Sequence, residues 1–241
     1  MYAHKIDYKN HDFGKTNLLN SRFYLEFNKF YCLALVTIFT LFLGSNSVLA
    51  QTTLINPTTN GGFELGPTFI ANGWIESNSV NNPWLLGSGG SNAAIAPFAN
   101  NRAFVSNTAG ASASYDVTLP CVNYFYRDVT VPAGETKIIL SFNSLSQGES
   151  VWDMWQVFTA PTTITPVSTT TYPGNGITLV PAGIAGATYI GASNVGNVIP
   201  ANTVQNIALV LPGSLSGTTF RLIFAWKSDT SSGAQPPSSI D

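Results

Sequence analysis

Glu149 and Asp153, four residues apart in "GESVWD", are the closest carboxylate pair that could do acid–base work on a sugar. Read as an extended segment at about 3.3 Å per residue, they stand roughly 13 Å apart. Carboxyls that share one glycosidic bond lie about 5–9.5 Å apart, so this spacing argues against a glycosidase. Both histidines, His4 and His11, lie near the amino terminus, and none follows Gln51. Ser-His-Asp and Cys-His arrangements, and histidine-held zinc or iron, are thereby excluded from residues 51–241. Cys121 is the single cysteine of that stretch. With no cationic neighbour in sequence to lower its pKa, it reads as a half-buried strand residue and not a nucleophile. The expectation is a chain that is not an enzyme.

Binding a hard cation through oxygen is more promising. Calcium takes six to eight oxygens from carboxylates, carbonyls and amides, which a loop-rich fold supplies where its ends meet. Glu64 in "NGGFELG" and Asp241 in "SSID" are the candidate metal ligands. No contiguous loop of EF-hand spacing joins them, so residue spacing alone leaves two unrelated surface carboxylates as the plain alternative.

These residues sit in a chain with two parts. In residues 1–50, Arg22 and Lys29 precede the apolar run "YCLALVTIFTLFLG", and "SNSVLA" puts Val48 and Ala50 at the small-residue positions of a signal-peptidase site. Cleavage is expected between Ala50 and Gln51. The run is shorter than the roughly 20 apolar residues of a membrane span, so no membrane attachment is expected after cleavage. The polar stretch before Arg22 is long for a signal peptide, as a start codon assigned too early would make it. Residues 51–241 carry five basic residues (Arg102, Arg127, Lys137, Arg221, Lys227) against nine acidic ones. A net charge of −4 offers no footprint for nucleic acid or anionic lipid.

The second part is punctuated throughout by Gly, Pro, Asn, Ser and Thr, and no window of helical length sustains a 3.6-residue period. Period-2 alternation is clear in "FRLIFAW", where Phe220, Leu222, Phe224 and Trp226 share a face. It recurs in "KIILSF" with Ile138, Leu140 and Phe142. "NYFYRDVTV" and "KIILSFN", joined by "PAGET", read as a hairpin turning on Pro132 and Gly134. "ASASYDVT", "VWDMWQVF" and "TVQNIALVL" supply further strands. From Met154 to Phe220 no residue is charged, yet Ile177, Leu179, Ile184, Tyr189 and Ile190 recur at intervals that allow packing, which favours ordered strands and long loops over a disordered linker. The fold class is all-β, a single β-sandwich over residues 51–241.

Five blocks carry a family resemblance: "NGGFELG", "NGW" (Asn72-Gly73-Trp74), "RDVTVPAGETKIILSFN", "GESVWDMWQV" and "FRLIFAWKSDTSSGAQPPSSID". Together they resemble the cleaved-adhesin, or choice-of-anchor J, modules of secreted bacterial surface proteins. The most specific block is the ending W-x-x-D-x-S-x-G-x-x-P-P-x-x-I-D, carried by Trp226, Asp229, Ser231, Gly233, Pro236, Pro237, Ile240 and Asp241. The resemblance implies a galactose-binding-like jelly roll with one structural calcium ion between Glu64 and Asp241. It also implies that residues 51–241 stop short of the last strand, and that the protein is sorted by type IX secretion to the cell surface. The function implied is adhesion to a host or biofilm surface, or binding of an extracellular glycan. A structural spacer, or an accessory domain of a larger secreted protease or glycosidase, is the alternative.

Sugar recognition needs aromatic faces with amide and hydroxyl partners. In the resembling blocks the Asp153 side of "VWDMWQVF" faces inward, which leaves Trp152 and Gln156 outside. Trp84, in the Asn-rich "SVNNPW" segment, is the third candidate ligand-binding residue, whereas Trp74 and Trp226 read as core. Asp153 and Asp229 read alternatively as acceptors for loop backbone amides.

Overall fold

The structure, a computed structural model, describes residues 51–88, 100–193 and 203–241. The chain divides into two units, Met1–Thr52 and Thr53–Asp241. The expected signal segment, with Ala50, lies outside the described residues, and Gln51 is exposed.

The second unit is built from strands β1 (Ile75–Ser77), β2 (Trp84–Gly87), β3 (Arg102–Val105), β4 (Cys121–Thr130), β5 (Ile138–Leu145), β6 (Met154–Ala160), β7 (Thr188–Ala192), β8 (Gln205–Leu211), β9 (Thr219–Ser228) and β10 (Ser239–Ile240). They form two five-stranded antiparallel sheets, ordered β1-β4-β9-β6-β7 and β2-β3-β10-β5-β8. The chain changes sheet at every step from β1 to β10 except β2 to β3 and β6 to β7. That crossing pattern makes the sandwich a jelly roll. Among the described residues no α-helix is present, only short 3-10 turns.

The alternation read in the sequence positions the core. Phe220, Leu222, Phe224 and Trp226 of β9 pack between the sheets with Phe125 and Val129 of β4, and with Ile138, Leu140 and Phe142 of β5. Phe125 and Phe224 stack with ring centroids 4.8 Å apart. Phe63, Phe69, Trp74 and Trp84 gather around Phe125 at 4.9–6.1 Å. The expected hairpin at "PAGET" is not one: β4 and β5 belong to opposite sheets, and the segment between them arches across the sandwich. Both strands carry large apolar side chains toward the interior, so facing each other buries more apolar surface than lying side by side. "ASASYDVT" is likewise not a strand; its backbone is irregular from Ser112 to Leu119.

The opposite faces of β4, β6 and β9 are also apolar, and a second cluster forms there from Val122, Tyr124, Tyr126, Phe158, Ile223 and Ala225. Ile164, Val180 and Ile184, from the uncharged stretch after β6, pack onto it. That stretch is therefore the cover of an otherwise exposed sheet face. One cover loop, residues 172–179, reaches the end of β6 and β9 where the candidate site lies.

Phe125 is the central ring of the main cluster. Phe125→Ala is expected to cost about 3–5 kcal/mol of stability, the usual range for losing a fully buried Phe. Urea unfolding measures it, and a loss below about 1 kcal/mol would mean the cluster collapses around the gap.

Candidate functional site

Between β5 and β6 the segment "GESVWD" is a closed turn, not an extended strand. Glu149 N–H donates to Asp153 O at 3.0 Å, and Asp153 N–H donates back to Glu149 O at 2.9 Å. Gly148 and Val151 both take left-handed backbone angles, φ +65° and +64°, which fold the five residues back on themselves. At Gly148 any side chain would strike the Asp153 backbone. The 13 Å separation expected from an extended reading is therefore wrong, and the argument from spacing against a carboxylate pair sharing one glycosidic bond falls with it. Glu149 and Asp153 converge with Asp229, from the end of β9, so that one oxygen of each lies within 4.8 Å of the others.

Asp153 is fully buried. Its Oδ2 accepts from the Tyr115 hydroxyl at 2.7 Å and its Oδ1 from the Asp229 N–H at 2.8 Å. Asp229 Oδ1 in turn accepts from the Ser231 N–H at 2.9 Å. Both aspartates thus hold backbone amides, as their alternative reading had it. Burial pushes the Asp153 carboxyl up to about 6. The two hydrogen bonds oppose that rise, and the Asp229 and Glu149 charges add to it. Glu149 is raised by burial and by Asp229, and its Oε2 has no hydrogen-bond partner. Three carboxylates at this separation can hold a metal ion: two retain unshared oxygens, and a cation would relieve their mutual repulsion.

Beside the triad stands an aromatic pair. Trp152, in the same turn, and Tyr172, in the cover loop, are both half-buried, with ring centroids 5.8 Å apart and planes inclined by 27°. Tyr172 is near enough for all three carboxylates to raise its phenol pKa, after burial, the largest cause. Beneath the pair Lys227 is fully buried; burial lowers its ammonium to about 8, with nearby Asp153 opposing.

The other expected site residues are distributed differently. Trp84 is not a solvent-facing platform. It starts β2 with no exposed surface, packs edge-on to Phe125 at 4.9 Å and donates from Nε1 to Asn123 O. The preceding turn, with Asn82 at φ +45°, directs its ring inward. Gln156 does lie on the face of β6 opposite Trp155, but that face is covered. Its side chain is fully buried, and Nε2 donates to Ile177 O and Leu179 O in the cover loop. It cannot meet a ligand from solvent. Cys121 is wholly buried, not half-buried, and burial pushes its thiol up to about 12, which leaves it inert.

Glu64 and Asp241 lie close enough to interact. Asp241 is raised first by burial and then by the Glu64 charge, while Arg102 lowers it. Glu64 Oε1 accepts from Asn101 N–H at 3.0 Å. Gly62 lies against Asp241 Oδ1 and Pro57 O, and a cavity of about 310 Å³ adjoins them. The oxygen set suits a hard cation, although the Arg102 guanidinium already supplies positive charge at one side.

Sequence reasoning missed the triad and Tyr172. The ending block carried part of the signal, since its Asp229 joins the triad and its Gly233 lies directly on Tyr115 Oη and Asp153 Oδ2, where a side chain would not fit. Nothing in the sequence tied Tyr172 to Trp152, because their contact spans a loop without periodicity.

No protein-family model and no curated protein sequence matches this chain. Similar solved structures include a carbohydrate-binding module, TmCBM61, in complex with β-1,4-galactotriose. The two are 8% identical over 79% of this chain and 95% of that one, with a TM-score of 0.40. A Stig cyclase from Fischerella sp. TAU is 12% identical over 78% and 92%, with a TM-score of 0.43. The K2 cleaved adhesin domain of Lys-gingipain is 16% identical over 76% and 92%, with a TM-score of 0.38. Similarity at this level carries no argument about what this chain binds.

Because the folded pKa of Asp153 lies above its ordinary value, its contribution to stability is full below about pH 4 and lost as pH rises through about 6. With chelator present, the melting temperature is expected to rise between pH 7 and pH 5. Asp153→Asn can keep the Asp229 N–H bond on Oδ1 and reverse the other, Nδ2–H donating to the Tyr115 hydroxyl, and should flatten that rise. An unchanged slope in calorimetry would show that Asp153 is not the titrating group.

Proposed function

We propose that this chain is a non-catalytic, secreted cell-surface module that binds an extracellular glycan at Trp152 and Tyr172. The observation that carries this reading is the stacked, half-buried aromatic pair standing beside three carboxylates. A sugar ring offers an apolar C–H face and a rim of hydroxyls. Aromatic rings suit the first, and the carboxylates of the two partly exposed members, Glu149 and Asp229, which accept hydrogen bonds when ionised, suit the second. The concentration of negative charge disfavours uronic and sialic acids, so a neutral glycan is the expected ligand. The sequence blocks resembling cleaved-adhesin modules point the same way, with a host or biofilm surface as the setting. Export through residues 1–50, with cleavage between Ala50 and Gln51, belongs to the same proposal, and the mass of the exported chain checks it.

Affinity electrophoresis through gels containing neutral polysaccharides tests the binding reading. Retardation of the wild-type chain by at least one polysaccharide is expected, with Trp152→Ala weakened about tenfold or more, a loss of roughly 1.4 kcal/mol. Retardation by none, or an unaffected Trp152→Ala, would overturn it.

A structural calcium ion at Glu64 and Asp241 is proposed separately, supported by their electrostatic contact and the carbonyl of Pro57 beside them. With the triad disabled by Glu149→Ala, calcium is expected to raise the melting temperature, and Glu64→Ala or Asp241→Ala added to it to abolish the response. A melting temperature indifferent to calcium and chelator removes the ion from this position.

A further inference from the structure

We infer that Lys227 is the positioning residue of the Trp152–Tyr172 pair: its buried ammonium clasps the Glu149–Asp153 turn to the Tyr172–Gly176 loop and so holds the two rings face to face. The role of the pair in glycan binding rests on the function proposed above; the clasp itself does not.

Lys227 lies on β9, the middle strand of its sheet, paired with Val122 of β4 on one side and Met154 of β6 on the other. Its side chain has no exposed surface. Nζ donates to Val151 O at 2.8 Å, to Gly176 O at 2.9 Å and to Gly174 O at 3.3 Å. Three protons thus meet three carbonyls, one from the turn and two from the loop. The Tyr172 ring centroid is 5.8 Å from Nζ, within cation–π range. Asp153 faces the ammonium from the turn, and Glu149, Asp229 and Tyr115 surround Asp153.

A buried ammonium is costly to desolvate, and an apolar side chain would fill the same space at less cost. Here every hydrogen bond that the ammonium makes goes to backbone of the two segments carrying Trp152 and Tyr172. Val151 makes the dependence sharper. It is β-branched yet held at φ +64°, a conformation such residues adopt only when their surroundings impose it. Its carbonyl accepts from both Lys227 Nζ and the Gly176 N–H, the latter at 3.3 Å. Without the ammonium, one amide would have to hold the strained turn against the loop. Trp152, the next residue, would then lose its stacking partner.

Lys227→Met tests this in the full chain, because it keeps the length and apolar stem and removes the three donors. A cooperative melt is expected to persist. The Trp152 component of the fluorescence, isolated by difference against Trp152→Phe, should become markedly more open to acrylamide quenching. Affinity for any polysaccharide that retards the wild type should fall about tenfold or more. Unchanged quenching of Trp152 in a folded Lys227→Met would overturn the clasp. If the variant does not fold, the wild type decides: the Lys227 ammonium protons should give a solvent-protected NMR signal at neutral pH, and free solvent exchange would overturn the clasp. If the wild type binds no polysaccharide, the glycan reading fails while quenching and the ammonium signal still decide the role of Lys227.

Discussion

A carboxylate buried without a counter-ion in direct contact is the constraint on which one end of this sandwich depends. Asp153 cannot return to solvent without breaking the pairing at the start of β6, so its two oxygens must be met from elsewhere. Tyr115 comes from the irregular segment before β4 and the Asp229 amide from the end of β9. Gly233 then closes over both groups. Two pieces of chain far apart in sequence, the segment at Tyr115 and the one from Asp229 to Gly233, are thereby fixed around one side chain. The turn carrying Glu149 and Trp152 inherits its position from that arrangement, and with it whatever the triad and the aromatic pair can bind.

A second constraint comes from strands that are apolar on both faces. β4 and β9 send Phe125, Val129, Phe224 and Trp226 between the sheets, and Tyr124, Tyr126 and Ile223 to the other side. A two-layer sandwich covers only the first set. The second requires a further layer, and the stretch between β6 and β7 supplies it without regular secondary structure of its own beyond a single 3-10 turn. The same layer that buries Gln156 delivers Tyr172 to Trp152. Covering a sheet face and bringing Tyr172 against Trp152 are two results of one packing requirement.

Much of this was legible in the sequence wherever physics is local. Alternation in "FRLIFAW" and "KIILSF" identified the strands and their inward residues, and Trp74 and Trp226 are core as read. Trp152 keeps partial exposure, on the outward side expected of it. What depends on long-range contact was not legible. Gln156 looked free because strand periodicity reports which side a residue faces, not what later covers that side. Trp84 looked free because its Asn-rich setting resembles a surface loop, although pairing with β3 and the Nε1 bond to Asn123 O hold the ring inside. The carboxylates of "GESVWD" seemed too far apart because an extended reading has no place for the left-handed backbone at Gly148 and at Val151, the second a residue type that rarely adopts it.

The cover over the second apolar cluster has a further property that follows from its composition. Between Lys137 and Arg221 there is no lysine or arginine, and between Asp153 and Arg221 there is no charged residue at all. Proteases of trypsin-like or glutamate-directed specificity therefore find no cleavable bond in this layer, even when it opens. Irregular segments usually gain their resistance to digestion from order; this one also has it from chemistry, and keeps it through every fluctuation that exposes the backbone.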